Sequence, residues 1–295
     1  MTAIDLSRLP APLVIEPLDF ETLFDAYVAR FEATWEEARE RDPTLPAYDV
    51  QNLETDPAVI LGQAWSYLRL LDRQRVNDAV KAVLAAFSSN SDLDQLVARQ
   101  NVARLETAPG VPETDAQLLR RYLLSFGRAS AGSADRLSYD ALTAVPALID
   151  VRVNGFAIHG RRGEIDVVIA GADGVTTPEQ VASVRAAVAS ASAKPEAIGV
   201  FVIPAERIVY TVSQSIFLPV GPDANLVRTE AIARVRAATD ERRMIGQRVP
   251  RDLIAGAAFG QSIASVNHLS PISDIVTNAY QIPVCTGITI TTQVQ

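Results

Sequence analysis

The chain has 295 residues, and its 27 Lys and Arg against 35 Asp and Glu give a net charge of −8, which disfavours a protein that tracks nucleic-acid phosphates. A hydrophobic content of 48% is ordinary for a globular chain and predicts a sizeable core. Cys285 stands alone, so an intrachain disulfide and a cysteine-based zinc cluster are excluded, and His159 and His268 leave little material for a histidine site.

The first residues lack the basic start and the apolar run of a signal peptide. No stretch approaches the roughly 18 uninterrupted apolar residues that a membrane span needs. We therefore expect a chain that is made and kept in a reducing cytosol.

Apolar residues at steps of three and four predict helices through the first half. The first predicted helix covers residues 20–41, with Asp19 as its N-cap and Pro43 after its end. Its apolar stripe consists of Phe20, Phe24, Tyr27, Phe31 and Trp35.

The second predicted helix is the longest. Asp56 and Pro57 provide an N-cap and a proline at the first helical position, and the pattern runs to about Phe87. At 1.5 Å per residue this rod measures about 45 Å, which exceeds a small domain. Part of it is expected to pack against another chain; the alternative is a long helix covered by its own neighbours.

Shorter helices follow. Ser91 opens one, and Thr114 with Gln117 forms a capping box that opens another, reaching Phe126. Residues 127–133 are rich in Ser, Ala and Gly and predict a loop, followed by a helix to about Ala144.

The second half changes to the period of two that is typical of strands. Asn154-Gly155 predicts a hairpin turn between strands at 149–153 and 156–159. Further strands are predicted at 164–169, 200–203, 207–218, 262–268, 274–280 and 284–292, with helices from Thr177, over 227–243 and over 250–259. The last strand either closes its own sheet or is an edge that seeks a partner.

These elements predict an α+β fold: a helical region over residues 1–148 with one long helix, then two small α+β subdomains at 149–204 and 205–295.

The sequence offers no recognisable catalytic, cofactor-binding or metal site, and we expect that the chain is not an enzyme. Glycine-rich phosphate loops and the nucleophile elbow are absent. His159 lies beside Gly160-Arg-Arg-Gly163, which is either a surface turn with solvated cations or an anion site. Glu113 and Asp115 are expected to favour a helix N-terminus, and the pair Arg120-Arg121 to form salt bridges.

An ordered set of motifs resembles the baseplate J family of contractile phage tails. It includes the opening phrase Asp5-Leu-Ser-Arg-Leu-Pro-Ala-Pro12, then Asp56-Pro-Ala-Val59, Tyr67 followed by Arg73-Gln-Arg-Val-Asn77, Glu113-Thr-Asp115, Gly221-Pro-Asp223 and Leu269-Ser-Pro271. Two departures are visible. Thr replaces the family's frequent Ser in Glu54-Thr-Asp56 and Glu113-Thr-Asp115, and Phe87-Ser-Ser-Asn-Ser91 replaces an apolar, glycine-containing stretch.

The resemblance implies a structural component of the baseplate wedge of a phage tail or tail-like bacteriocin. Such a protein is assembled in the host bacterial cytoplasm and joins the central hub and sheath initiator to peripheral tail-fibre parts. The implied partners are a second copy of the chain and a companion wedge protein in a heterotrimer, the sheath-initiator and hub proteins, and tail-fibre attachment proteins. Neither membrane nor nucleic acid nor a cofactor is implied.

The resemblance also suggests which surfaces carry these contacts. Candidate partner residues on the long helix are Trp65, Leu68, Arg69, Asp72, Arg73, Arg75, Val76 and Val80, and candidate inter-wedge contacts are Arg242, Arg243 and Tyr280. Leu45–Leu53 and Gly127–Ser133 are the expected hinges. The alternatives are an accessory interaction protein of a related contractile injection system and a hydrolase without a recognisable motif.

Overall fold

A computed structural model describes Pro10, residues 12–48 and residues 53–294, without the side chain of the last. The chain divides into two compact units, Met1–Arg99 and Gln100–Gln295. Helices and small sheets are mixed, so the predicted α+β class is confirmed. The finer division at residues 148 and 204 stays a prediction. Most of the opening family motif, and residues 49–52 of the first expected hinge, lie outside the described residues.

The first unit contains the helices α1 (Phe20–Arg41), α2 (Pro57–Ala82) and α3 (Asn90–Ala98). Both predicted N-caps are confirmed. The Asp19 carboxylate accepts a hydrogen bond from the Glu21 amide, and the Asp56 carboxylate accepts from the amides of the first turn of α2. No helix among the described residues is long and apolar enough to cross a bilayer.

The long helix is shorter than its sequence pattern predicts. It ends at Ala82 rather than near Phe87, so its 26 residues span about 39 Å. Beyond it, the Leu84 amide donates to the Lys81 carbonyl and the Phe87 amide to the Leu84 carbonyl, which are tight turns. Two serines follow at 88 and 89, and serine side chains compete with the helical backbone for hydrogen bonds.

The second unit opens with a short hairpin, β1 (Glu106–Ala108) and β2 (Val111–Pro112), which sequence analysis missed. Two helices follow, α4 (Asp115–Ser125) and α5 (Ala134–Ala144), separated by the predicted loop. The predicted capping box is confirmed, since Thr114 and Gln117 exchange hydrogen bonds at the start of α4.

A three-stranded sheet then forms from β3 (Asp150–Asn154), β4 (Glu164–Ala170) and β5 (Gly199–Pro204), in the order β3-β4-β5. β3 is antiparallel to β4, and β4 is parallel to β5 through the crossover helix α7 (Pro178–Val188). One face of the sheet packs on α5 and α7, where the core includes Leu137, Val167, Ile169, Val184 and Val188.

The predicted hairpin at Asn154-Gly155 is wrong. Asn154 is the last residue of β3, fully buried, and its side-chain amide donates to the Ala279 carbonyl at 2.8 Å. Residues Phe156–His159 form a helical turn, α6, instead of a strand, and β3 pairs with β4. A long-range hydrogen bond therefore outweighs the local preference of the dipeptide for a tight turn.

A second three-stranded sheet contains β6 (Glu206–Leu218), β7 (Ser265–Ser270) and β8 (Gln281–Val294), in the order β7-β6-β8. The strand predicted at 207–218 is confirmed, and on the buried face of β6 Tyr210, Val212, Ile216 and Leu218 pack with residues of α8 (Ala224–Glu241) and α9 (Arg251–Ala257). β8 runs parallel to β6 along all 13 residues of β6 and, as the last strand in the order, also forms an edge of that sheet. The strand predicted at 274–280 is wrong, because only Ile275 there forms a bridge, with Val249.

Candidate partner surface on the long helix

The inner face of α2 packs against α1. Its buried residues are Val59, Gly62, Ser66 and Asn77, which lie at helical spacing along one side. A Cβ atom at Gly62 would stand 2.3 Å from a ring carbon of Tyr27, so only glycine permits this approach of the two helices. The Tyr27 hydroxyl also donates to the Ala58 carbonyl at 3.2 Å.

The aromatic stripe predicted on α1 forms two groups of ring contacts, Phe20 with Phe24, and Phe31 with both Tyr27 and Trp35. α2 joins the second group through Trp65, whose ring centroid lies 5.7 Å from that of Tyr27. Tyr48 packs edge-on against Phe31 at 4.9 Å, and its hydroxyl donates to Asp56 at 3.0 Å. Burial, together with that carboxylate, raises the pKa of Tyr48 to about 12. Asp56 thus both caps α2 and holds the segment that leads to it.

The C-terminal half of α2 is held to Glu16 by Arg73 and Asn77, two residues of the motif that resembles the baseplate J family. The Asn77 side chain donates to the Glu16 carbonyl at 2.7 Å and accepts from the Glu16 amide at 3.0 Å. Arg73 lies 2.6 Å from the Glu16 carboxylate. Sequence analysis missed the role of Asn77. The feature that could have indicated it is a polar residue in helical register with the buried side of α2.

The outer face of α2 is exposed and apolar. Leu61 and Leu68 are 64% and 61% exposed, which is unusual for leucine in the middle of a helix. The full set is Ile60, Leu61, Trp65, Tyr67, Leu68, Leu71 and Val76 on α2, together with Val83 directly after its last residue. A single exposed leucine needs no explanation, but a contiguous apolar helix face is the mark of an interaction site. We call these eight residues the outer face.

The predicted partner residues divide between the two sides of α2. Trp65, Leu68 and Val76 belong to the outer face. Arg69, Asp72 and Arg75 are also exposed and have no ion-pair partner among the described residues, and Asp72 and Arg75 lie on the side of Leu68 and Leu71, four residues further along. Arg73 and Val80 are half-buried, and Arg73 has its ion pair with Glu16. Their part in binding a partner stays a prediction.

The residues predicted for inter-wedge contacts lie in the second unit, where two of them make polar contacts. The Tyr280 hydroxyl donates to Asp166 at 2.7 Å, and Arg243 lies 3.3 Å from the Asp173 carboxylate. Arg242 is half-buried. Burial opposes the ionisation of Asp166, but hydrogen bonds from Tyr280 and Arg161 outweigh it and hold the pKa of Asp166 below its usual value. Tyr280 and Arg243 therefore have intrachain partners, and inter-wedge contact by all three predicted residues stays a prediction.

The adjacent arginines form the predicted salt bridges. Arg120 lies 2.5 Å from Asp150, and Arg121 makes a bidentate pair with Glu113 at 2.8 Å for both hydrogen bonds. Both partners of that second pair are almost fully buried. Glu113 therefore neutralises a buried guanidinium, a role that its position before a helix did not reveal.

Cys285 and His159, the other residues with reactive side chains, lie in surroundings that account for them without a catalytic role. Burial raises the pKa of the Cys285 thiol. The His159 ring accepts a hydrogen bond from the Arg161 amide, and the Arg161 guanidinium pairs with Glu164 and Asp166. Among the described residues, no group of three or more His, Cys, Asp or Glu side chains is placed to hold a metal ion.

Comparison with known proteins agrees with the motif order. Residues 54–110, which include α2 and α3, match the Baseplate J-like N-terminal domain. Over 97% of its length the chain is 29% identical to Baseplate protein J of Escherichia phage P2, of which it covers 96%. The similarity to this one relative thus extends from the first helices to the second three-stranded sheet. The resemblance predicted from the motifs is confirmed: the chain is similar to a baseplate J protein over nearly its whole length.

Proposed function

We propose that the chain is a structural protein of the baseplate in the tail of a contractile phage or tail-like particle. The observation that carries this proposal is the similarity to Baseplate protein J over nearly the full length of both chains. On this proposal the chain works by binding other proteins rather than by catalysing a reaction.

We further propose that the outer face of α2 is where partner subunits pack, in a helical bundle with a second copy of the chain and a companion wedge protein. Burying a Leu or Val side chain completely contributes about 1.5–3 kcal/mol, so covering eight large apolar residues would favour a stable assembly. Arg69, Asp72 and Arg75, which are exposed on the same helix, would pair with charges of the partner and so select the partner and its orientation.

The second unit is the proposed link between neighbouring wedges, and the whole chain the link from the hub and sheath initiator to the tail-fibre parts. These finer contacts follow from the family resemblance. The residues proposed for the inter-wedge link are Arg242, Arg243 and Tyr280.

The test uses purified tail particles from a host that carries a deletion of the gene, complemented with the wild-type chain or a variant. We expect the wild type to be found in the particles by quantitative mass spectrometry, at a fixed ratio to the sheath-initiator protein. The double variant Leu61→Glu/Leu68→Glu places two charges on the outer face and should yield at least about 10-fold fewer complete baseplates, because desolvating unpaired charges opposes packing.

The matched control is Val220→Glu/Ile272→Glu, which adds the same charge at residues of the second unit that are 83% and 87% exposed. It should assemble like the wild type. Complete particles that lack the chain would instead indicate an accessory interaction protein. Clearing of peptidoglycan by the purified chain would favour the hydrolase alternative, and both outcomes contradict the proposal.

A further inference from the structure

The edge strand β5 presents backbone groups that no described residue satisfies. In a parallel ladder, alternate residues of a strand direct both their N–H and C=O groups to the same neighbour. The Gly199 amide donates to the Gly163 carbonyl at 2.8 Å, and the Ala205 amide donates to the Ile169 carbonyl at 2.9 Å. Odd-numbered residues of β5 therefore face β4, and Val200 and Val202 face the free edge.

At each end of this edge one backbone hydrogen-bonding position is not open to an added strand. The Lys194 ammonium donates to the Ile198 carbonyl at 3.0 Å, so the outward carbonyl just before β5 is occupied. At the other end Pro204 has no N–H to offer. Between these ends, Val200 and Val202 together present two donors and two acceptors, which is what an added strand requires.

An open groove of about 640 Å³ runs along the same edge, lined by β5 together with Arg161, Glu164, Asp166 and Arg185. The Phe201 side chain in it is 49% exposed. Arg161 already pairs with Glu164 and Asp166. The four charged side chains of the groove sum to zero, but Arg161 takes both carboxylates, and Arg185, which is exposed on α7, has no ion-pair partner among the described residues.

We propose that this groove binds an extended segment of a different tail protein, which adds to the sheet beside β5. The segment has a carboxylate that pairs with Arg185 and an apolar residue that covers Phe201. A second copy of this chain is a poorer occupant, because pairing two identical edges would bring two Arg185 side chains together without adding a free carboxylate. The proposal rests on the proposed baseplate function for the source of its partner.

The first test measures amide hydrogen exchange of the full chain, alone and in purified tail particles, with residue resolution by mass spectrometry. In the isolated chain, Val200 and Val202 should exchange at least about 10-fold faster than Phe201, whose N–H faces β4. In the particles, exchange at Val200 and Val202 should slow by a similar factor, while exchange at Phe201 changes little. Equal rates for both valines in the two samples would overturn the proposal.

The second test identifies the occupant. A photo-crosslinking benzoylphenylalanine at position 201 should capture, in assembled particles, a peptide of another tail protein that contains Asp or Glu. Arg185→Glu should lower the crosslink yield about 10-fold, whereas the matched charge reversal Arg228→Glu, at an exposed position on α8, should not.

Crosslinking to β5 of a second copy, to no tail protein, or equally well in Arg185→Glu would overturn the groove's assignment. Absence of the chain from the particles would overturn the proposed function as well, so the two failures are distinguishable.

Discussion

The bidentate pair of Arg121 and Glu113 has side chains only 3% and 1% exposed. Glu113 also accepts from the Leu105 amide, and Arg121 donates to the Ala103 carbonyl. Glu113→Gln leaves the guanidinium buried without a counter-charge, so we expect a loss of about 3–5 kcal/mol in the free energy of unfolding. Urea denaturation followed by circular dichroism measures it.

The same pair provides its own control. Arg121→Met/Glu113→Leu removes both charges and fills a similar volume, so it should be more stable than Glu113→Gln despite changing two residues. A double variant that is as unstable as the single one would mean that the hydrogen bonds to Ala103 and Leu105, rather than the charges, determine stability here.

A second prediction at this scale concerns His268. Its Nδ1 faces the amide of the buried Gln214 at 3.0 Å and its Nε2 faces the Pro271 carbonyl at 3.0 Å, which together require the neutral ring with the proton on Nε2. Burial is the main cause that lowers the pKa of His268, and the nearby Arg251 adds to it, against opposing effects from Pro271 and Asp252.

Because the unfolded chain binds this proton more readily, stability should be constant above about pH 6.5 and fall as the pH drops below it, until the folded pKa is reached. The slope corresponds to at most about 1.4 kcal/mol per pH unit. His268→Gln keeps a neutral side chain and should remove the part of the pH dependence below about pH 6.5 that His268 causes. Nitrogen NMR shifts that show a proton on Nδ1 at pH 7.5 would contradict the assignment.

At the scale of elements, two helical glycines differ in the space that is available for a side chain. Gly→Ala in a helix normally stabilises by about 0.5–1 kcal/mol. Gly256 in α9 has open space where a Cβ would stand, so Gly256→Ala should show that gain. At Gly62 the new Cβ meets the Tyr27 ring at 2.3 Å, so Gly62→Ala should destabilise by about 1–3 kcal/mol.

Thermal unfolding of the two variants, measured side by side, checks the signs. If Gly62→Ala raised the melting temperature as much as Gly256→Ala, the close packing of α1 on α2 would be contradicted.

The same scale shows what the sequence can predict. Asp19, Asp56 and Thr114 were identified correctly as caps because a cap depends on residues two or three positions away. Asn154 was misread because its partner, Ala279, lies 125 residues further along the chain. For the same reason the pairing of Tyr280 with Asp166, and of Glu113 with a buried Arg121, could not be found from spacing.

The candidate partner surface was only partly predictable. Residues such as Leu68 and Arg75 could be placed on α2 from its period, but every apolar side chain there could have belonged to the core. The inner face is identified only from the contacts of Gly62 with Tyr27 and of Asn77 with Glu16, since small and polar residues are a weak sign of a buried face. The groove beside β5 required the hydrogen-bond pattern of the ladder and could not be predicted at all.

At the scale of the whole molecule, two features act against each other in solution. The net charge of −8 repels a second copy, and the outer face of α2 attracts one. Salt shortens the Debye length from about 10 Å at 0.1 M to about 3 Å at 1 M, and sulfate strengthens apolar burial. We therefore expect that the isolated chain is monomeric at low salt and associates reversibly as sulfate is added.

Sedimentation velocity over a range of protein and sulfate concentrations measures this. Leu61→Glu/Leu68→Glu should weaken association at least about 10-fold, which corresponds to about 1.4 kcal/mol. Val220→Glu/Ile272→Glu changes the net charge equally and should associate like the wild type at high salt, because screening removes the added repulsion. Equal loss in both variants would show that net charge alone controls association, and a wild type that stays monomeric throughout would mean that the outer face accepts only other subunits.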